Sequence, residues 1–187
     1  VIYRNLILLS LSLSLAACAG QTPSICPQIA AVHDLAQLAD FGRSEKPVRT
    51  EFVAAARIDH VLGACHTEGD TISADVDIAL RAYRGPRLGG ERVEFPYFVA
   101  VLDQNDKVIS KQSLTVTFAL AAHNKFVDKL EQIHLTIPNP KNLAGSNWRV
   151  LTGFQLSPEQ LAYNRGEFGE PIPTASPAGQ VWRNRAQ

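Results

Sequence analysis

No stretch of this sequence is apolar for long enough to cross a membrane. Its longest such run, Leu6 to Leu15, falls short of the roughly 20 residues that a spanning helix needs. Net charge is also missing: 18 Lys and Arg balance 18 Asp and Glu. A chain built around nucleic acid would carry a basic excess, so that partner class is set aside. Catalytic signatures are absent too. There is no Gly-x-Ser-x-Gly and no Ser-x-x-Lys for a nucleophilic hydrolase. No His-Glu-x-x-His, C-x2-C or H-x3-H spacing marks a metal site. Gly89-Gly90 lacks a phosphate-loop context, and no internal repeat occurs. The sequence therefore names neither a catalytic residue nor a cofactor.

What is present begins with an export pattern. Arg4 gives a basic start, Leu6 to Leu15 is almost wholly Leu, Ile and Ser, and Ala16-Ala17 supplies small residues before Cys18. That order describes a secretory signal over residues 1–17. The initial Val reads as an alternative start codon written literally. Leu15-Ala16-Ala17-Cys18 resembles the lipobox of bacterial lipoproteins. The resemblance implies that Cys18 becomes the lipid-carrying first residue, attached to the envelope membrane. Ala19, rather than Asp, favours the periplasmic face of the outer membrane by analogy with enteric sorting. Several acyl chains together hold far more firmly than one.

With Cys18 lipidated, Cys26 and Cys65 are the two remaining cysteines. An oxidising periplasm makes a disulfide between them the expectation. They fall outside the expected strand centres, so the bond is expected to staple the N-terminal segment to a loop. His33, His60 and His66 lie near these cysteines in sequence, with neither a C-x2-C nor an H-x3-H spacing. Residues 18–25 form a tether. Its seven residues beyond Cys18 reach at most about 25 Å, which keeps the folded body close to the membrane.

The body, residues 26–166, reads as β. Alternation over 51–61 sets Phe52, Ala54, Ala56 and Ile58 against Glu51, Arg57 and Asp59. Over 72–81 it sets Ile72, Ala74, Val76, Ile78 and Leu80 against Ser73, Asp75, Asp77 and Arg81. A period of two with one polar face is a half-buried strand. Residues 93–102 are more continuously apolar, with Pro96 marking an edge or a bulge. Asp103-Gln104-Asn105-Asp106 is a polar turn into a strand over 108–120, which makes a hairpin. Strands over 128–137 and 147–156 follow, and 28–40 holds a short strand or helix. Six or seven antiparallel strands predict an all-β antiparallel sandwich of immunoglobulin or fibronectin III type. One short helix is expected over 158–164, with Ser157 as its cap, Pro158 in its first turn, Gln160 completing a capping box and Gly166 as its stop. The Pro-rich residues 167–187 read as a disordered tail. Within it Trp182 lies between Val181 and Arg183, with Arg185 beyond, and an aromatic among arginines can anchor a partner.

Cys26-Pro27, the Phe95-to-Val101 strand and the run Gly153-Phe154-Gln155-Leu156-Ser157-Pro158-Glu159-Gln160-Leu161-Ala162-Tyr163-Asn164 together resemble a family of alphaproteobacterial lipoproteins of unassigned activity. The resemblance covers most of residues 18–165. It implies export and a β fold, and no functional residue carries over.

Two surface features suggest ligands. Arg81, Arg84, Arg87 and Arg92 flank the loop Gly85 to Gly90, and arginine forks bind phosphate and carboxylate bidentately. A solvated loop is the plainer reading. Asp75 and Asp77 share one strand face, about 6–7 Å apart, and could hold a cation. His134 falls on the polar face of its strand, His123 in a loop, and Asp103-x-Asn105 is a turn rather than a calcium loop. The leading expectation is a non-enzymatic, lipid-anchored module that offers a surface to another envelope protein. A binding module for anionic glycan or lipid, using the arginine loop, is the first alternative. A hydrolase with a dispersed site is the second, and it would need a pocket joining a histidine, a carboxylate and a hydroxyl.

Overall fold

The computed structural model describes residues 26–43 and 51–166, and the backbone of 181–184. The signal, Cys18 and the tether lie outside the described residues. Two sheets pack face to face. Strands β1 (Gln28–Ala31), β2 (Gln37–Asp40), β3 (Ala54–Glu68), β4 (Thr71–Arg84), β5 (Arg92–Leu102), β6 (Val108–Ala119), β7 (Phe126–Pro138) and β8 (Arg149–Phe154) precede helix α1 (Pro158–Asn164), and β9 (Val181–Asn184) follows it. The back sheet has the order β1-β8-β5-β6, and the front sheet the order β2-β3-β4-β7, with β9 also on β3. The all-β sandwich is as expected from the alternation.

The strand order β3-β4-β7 against β6-β5-β8 follows the A-B-E against C′-C-F arrangement of immunoglobulin-type sandwiches. At the place of the last strand, G, stands β1, and it runs parallel to β8. β9 is also parallel to its neighbour β3. These two short pairings are exceptions to the expected antiparallel pattern.

The core forms where the inner faces meet. β4 alternates as its sequence requires: Ile72, Ala74, Val76, Ile78, Leu80 and Ala82 are all buried. From β5, β6 and β8 come Phe95, Tyr97, Val116, Phe118, Val150 and Phe154. The Phe95 ring meets Phe118 and Phe154 edge-on at 6.0 and 6.2 Å, the geometry that aromatic quadrupoles favour. Pro96 sits in β5, but its carbonyl accepts from Gln155 N beyond the end of β8. Its nitrogen faces the same side, just past the last pair of the β5–β8 ladder, so the missing donor falls at the margin of the sheet rather than within it.

Two elements correct the sequence reading. β3 begins at Ala54 and runs to Glu68, well past residue 61. The cause is a bulge at Asp59, between Ile58 and His60. Before it Ala54, Ala56 and Ile58 point inward; after it Val61 and Cys65 do. One extra residue reverses the phase of the alternation, so the strand no longer reads as continuous. Cys65 consequently lies within a strand, not in a loop. Its bond to Cys26 (S–S 2.10 Å, Cα–Cα 5.6 Å) is buried and joins the segment before β1, on the back sheet, to β3 on the front sheet.

The remaining elements match closely. Asp103 Oδ1 accepts from the amides of Asn105 and Lys107 at 2.8 and 3.0 Å, and this closes the β5–β6 turn. Segment 28–40 holds both alternatives: two short strands around a 3-10 turn at His33–Leu35. In α1 the Gln160 amide donates to Ser157 Oγ and the Ser157 amide to Gln160 Oε1, which completes the capping box. Of the expected tail, 167–187, Val181–Asn184 forms a strand; the rest lies outside the described residues.

Candidate functional site

The outer face of the front sheet gathers most of the chemistry. Residues opposite one another in neighbouring strands share a face, so the register of β3, β4 and β7 writes that face in rows. The rows run His66–Ser73–Thr136, Ala64–Asp75–His134, Leu62–Asp77–Gln132, His60–Ala79–Leu130, Arg57–Arg81–Asp128 and Ala55–Tyr83–Phe126.

One end is closed. Helix α1 lies over Ala55, where Tyr163 meets the Phe41 ring edge-on at 4.8 Å. Asn164 Nδ2 fixes the helix to the carbonyls of Asp34 and Gln37 at 2.8 and 2.9 Å. Next comes an ionic row. Arg57 Nε donates to Asp59 Oδ1 at 2.5 Å, two residues along the same strand face. Arg81 forks onto Asp128, Nε at 2.5 Å and Nη2 at 2.8 Å. That bidentate bond holds the Asp128 carboxyl below its ordinary value and raises Arg81 above its own. The two guanidiniums also lie over rings, Arg57 on Tyr83 at 5.5 Å and Arg81 on Phe126 at 4.5 Å.

The far end is open and acidic. A cleft of about 490 Å³ is lined by Leu62, Ala64, Asp75, Asp77, Gln132 and His134, among others. His134 Nδ1 donates to Asp75 Oδ1 at 2.9 Å, and Gln132 Nε2 to Asp77 Oδ1 at 3.0 Å. Leu62 and Ala64 line its β3 side. A second depression of about 380 Å³, bordered by His60, Ala79, Arg81, Asp128 and Leu130, continues the surface. Leu130 is 53% and Phe126 49% exposed, so apolar and polar groups alternate across the whole face.

The cleft joins a histidine to a carboxylate, but no hydroxyl lines it among the described residues. That geometry does not supply the histidine, carboxylate and hydroxyl set that the hydrolase alternative requires. Among the described residues, no three His, Cys, Asp or Glu side chains are grouped as metal ligands. Asp75 and Asp77 instead make the hydrogen bonds just described.

The four arginines of the 85–90 loop do not converge. Arg81 belongs to the ionic row. Arg84 lies inside the loop: Nη1 donates to the carbonyls of Gly90 and Leu120 at 2.8 and 2.6 Å, and Nη2 to Leu88 at 2.8 Å. It shapes the turn from within. Gly85 permits that turn, because a Cβ there would stand 2.1 Å from the Phe52 carbonyl oxygen. Arg87 reaches towards the Phe41 and Glu51 carbonyls at 3.4 and 3.5 Å, and Arg92 is exposed at the start of β5 on the other sheet.

Sequence reasoning marks Asp75 and Asp77 together on one strand face, and His134 separately on the polar face of its own strand. It misses that β4 and β7 pair in the register that joins Asp75 to His134, and it misses Leu62, Gln132 and Leu130. The signal for Leu62 was hidden by the phase change at Asp59. No protein-family model, no curated protein and no solved structure matches this chain.

Proposed function

We propose that this chain is a lipid-anchored envelope module that acts by binding, and that the outer face of the front sheet is its contact surface for another envelope protein. The carrying observation is the open end of that face. Paired Asp75–His134 and Asp77–Gln132 side chains stand beside Leu62 and Ala64 of β3 on the same face, with Leu130 exposed next to them. Apolar contact gives affinity at a surface of this kind, while ordered hydrogen-bonding groups give selectivity. Cys18, in Leu-Ala-Ala-Cys, supports the anchor, and the short tether would hold this face within reach of membrane-bound partners.

The test is capture of the tagged protein from crosslinked intact cells. The expected result is a specific protein partner recovered with the wild type, lost with Cys18→Ala and reduced by Leu130→Asp. Recovery of no specific partner would overturn the reading.

A further inference from the structure

β3 is long, and its two edges are treated differently. One edge pairs with β4 along its whole length, Ala54 to Glu68. The other pairs with β2 only over Ala54–Arg57. Beyond the Asp59 bulge, among the described residues, that second edge carries one short partner, β9, in parallel register: Leu62 with Val181, Gly63 with Trp182, Ala64 with Arg183, Cys65 with Asn184. Unpaired backbone amides and carbonyls at a sheet edge are a template for an added strand. This edge also borders the acidic cleft, since Leu62 and Ala64 of β3 line it.

Register links the added strand to the charges. Arg183 is placed opposite Ala64, and Ala64 is opposite Asp75; Val181 is opposite Leu62, and Leu62 is opposite Asp77. A cationic residue thus occupies the strand position in line with an acidic row, across a residue as small as alanine. Glu68 and Asp70 at the adjoining β3–β4 turn add to the negative charge of this end.

The geometry points to a peptide-acceptor edge: Val61–Glu68 of β3 binds an extended segment by parallel strand addition, selecting a basic residue opposite Ala64, and the chain's own Val181–Asn184 is the resident occupant. This rests on the reading of the front face as a contact surface and deepens it, because it specifies the kind of partner. Strand addition draws affinity from main-chain hydrogen bonds and selectivity from alternate side-chain positions. Four residues give few such bonds, so the resident strand depends on being tethered. Its covalent attachment to the same chain supplies an effective concentration on the order of millimolar. A partner segment must exceed that to displace the tail, which makes the tail a built-in competitor.

The test uses the full chain in detergent and a fluorescein-labelled peptide of residues 178–187. The variant Trp182→Pro/Arg183→Pro removes the resident strand's pairing. Neighbouring strand amides face opposite sides, so one of the two prolines deletes a donor facing β3. The expected results are faster amide exchange over 62–65 in the variant than in the wild type, and peptide binding to the variant tighter than to the wild type by a factor of one plus the ratio of the effective concentration to the peptide's dissociation constant. Adding Asp75→Asn to the variant, or raising the salt concentration, weakens that binding. Equal exchange in both chains, or a peptide that binds neither or both alike, overturns the inference. Circular dichroism and thermal unfolding of the variant confirm that the sandwich is folded. If the peptide fails while Leu130→Asp still lowers capture of an envelope protein, the contact-surface reading stands and only strand addition falls.

Discussion

The two faces of β4 contrast more sharply than any two strands do. Inward, Ile72, Ala74, Val76, Ile78, Leu80 and Ala82 are apolar and buried. Outward, Ser73, Asp75, Asp77, Ala79, Arg81 and Tyr83 mix hydroxyl, carboxylate, methyl, guanidinium and ring. The inner face has one task, to exclude water against the back sheet, and volume and apolarity suffice for it. Away from the end covered by α1, the outer face is not needed for that, and its side chains present a surface. The difference separates stability from recognition within a single strand, and changes on the two faces should therefore have different consequences.

The largest effect tests the inner side. Cys26 and Cys65 are 39 residues apart in sequence, and the loop they close corresponds to about 4 kcal/mol in the chain-entropy model. The Cys26→Ser/Cys65→Ser variant should lower the urea midpoint by a corresponding amount, and adding reductant should then have no further effect. Ile78→Ala, also buried against the back sheet, should cost about 2–5 kcal/mol in the same measurement. Ser157→Ala removes the cap that holds α1 over the closed end of the outer face, at about 1 kcal/mol. A Ser157→Thr variant should retain most of that stability.

The smallest effects belong to the outer face. His134→Ala and Asp75→Asn should each change unfolding by under about 0.5 kcal/mol. Asp128 offers a pH version of the same point. Its pKa is lowered in the folded state, first by the hydrogen bonds from Arg81. Its contribution is therefore fully present above the unfolded carboxylate pKa and is lost as pH falls through the folded value. The pair is well exposed, so the contribution is at most about 1 kcal/mol. The stability difference between wild type and Asp128→Asn should be measurable at pH 7 and disappear in acid. A difference that grows in acid would contradict the assignment.

How much of this was legible in the sequence follows from what kind of information each feature needs. β4, the β5–β6 hairpin and α1 are local: alternation, a polar turn and a capping box are written in consecutive residues. The disulfide pair followed from cysteine number and the expected export to an oxidising compartment. Its position did not, because the Asp59 bulge hid the second half of β3 and with it Cys65 and Leu62. The candidate face was legible only in parts. Asp75 and Asp77 declared a polar strand face, but their partners His134 and Gln132 lie more than fifty residues away, and only β-sheet register brings them together. The arginine loop shows the reverse error. Four arginines close in sequence look like a cluster, yet strand alternation and the carbonyls around Arg84 send them to separate places.

The most direct test of the contact surface is site-directed photocrosslinking in intact cells. A photoreactive residue would replace Leu130 on the outer face of the front sheet and, separately, the exposed Ser113 of β6 on the back sheet. The account predicts a discrete crosslinked protein adduct from position 130, none from position 113, and loss of the adduct when Asp75→Asn and His134→Ala are added. An adduct from position 113 with none from 130 would contradict it.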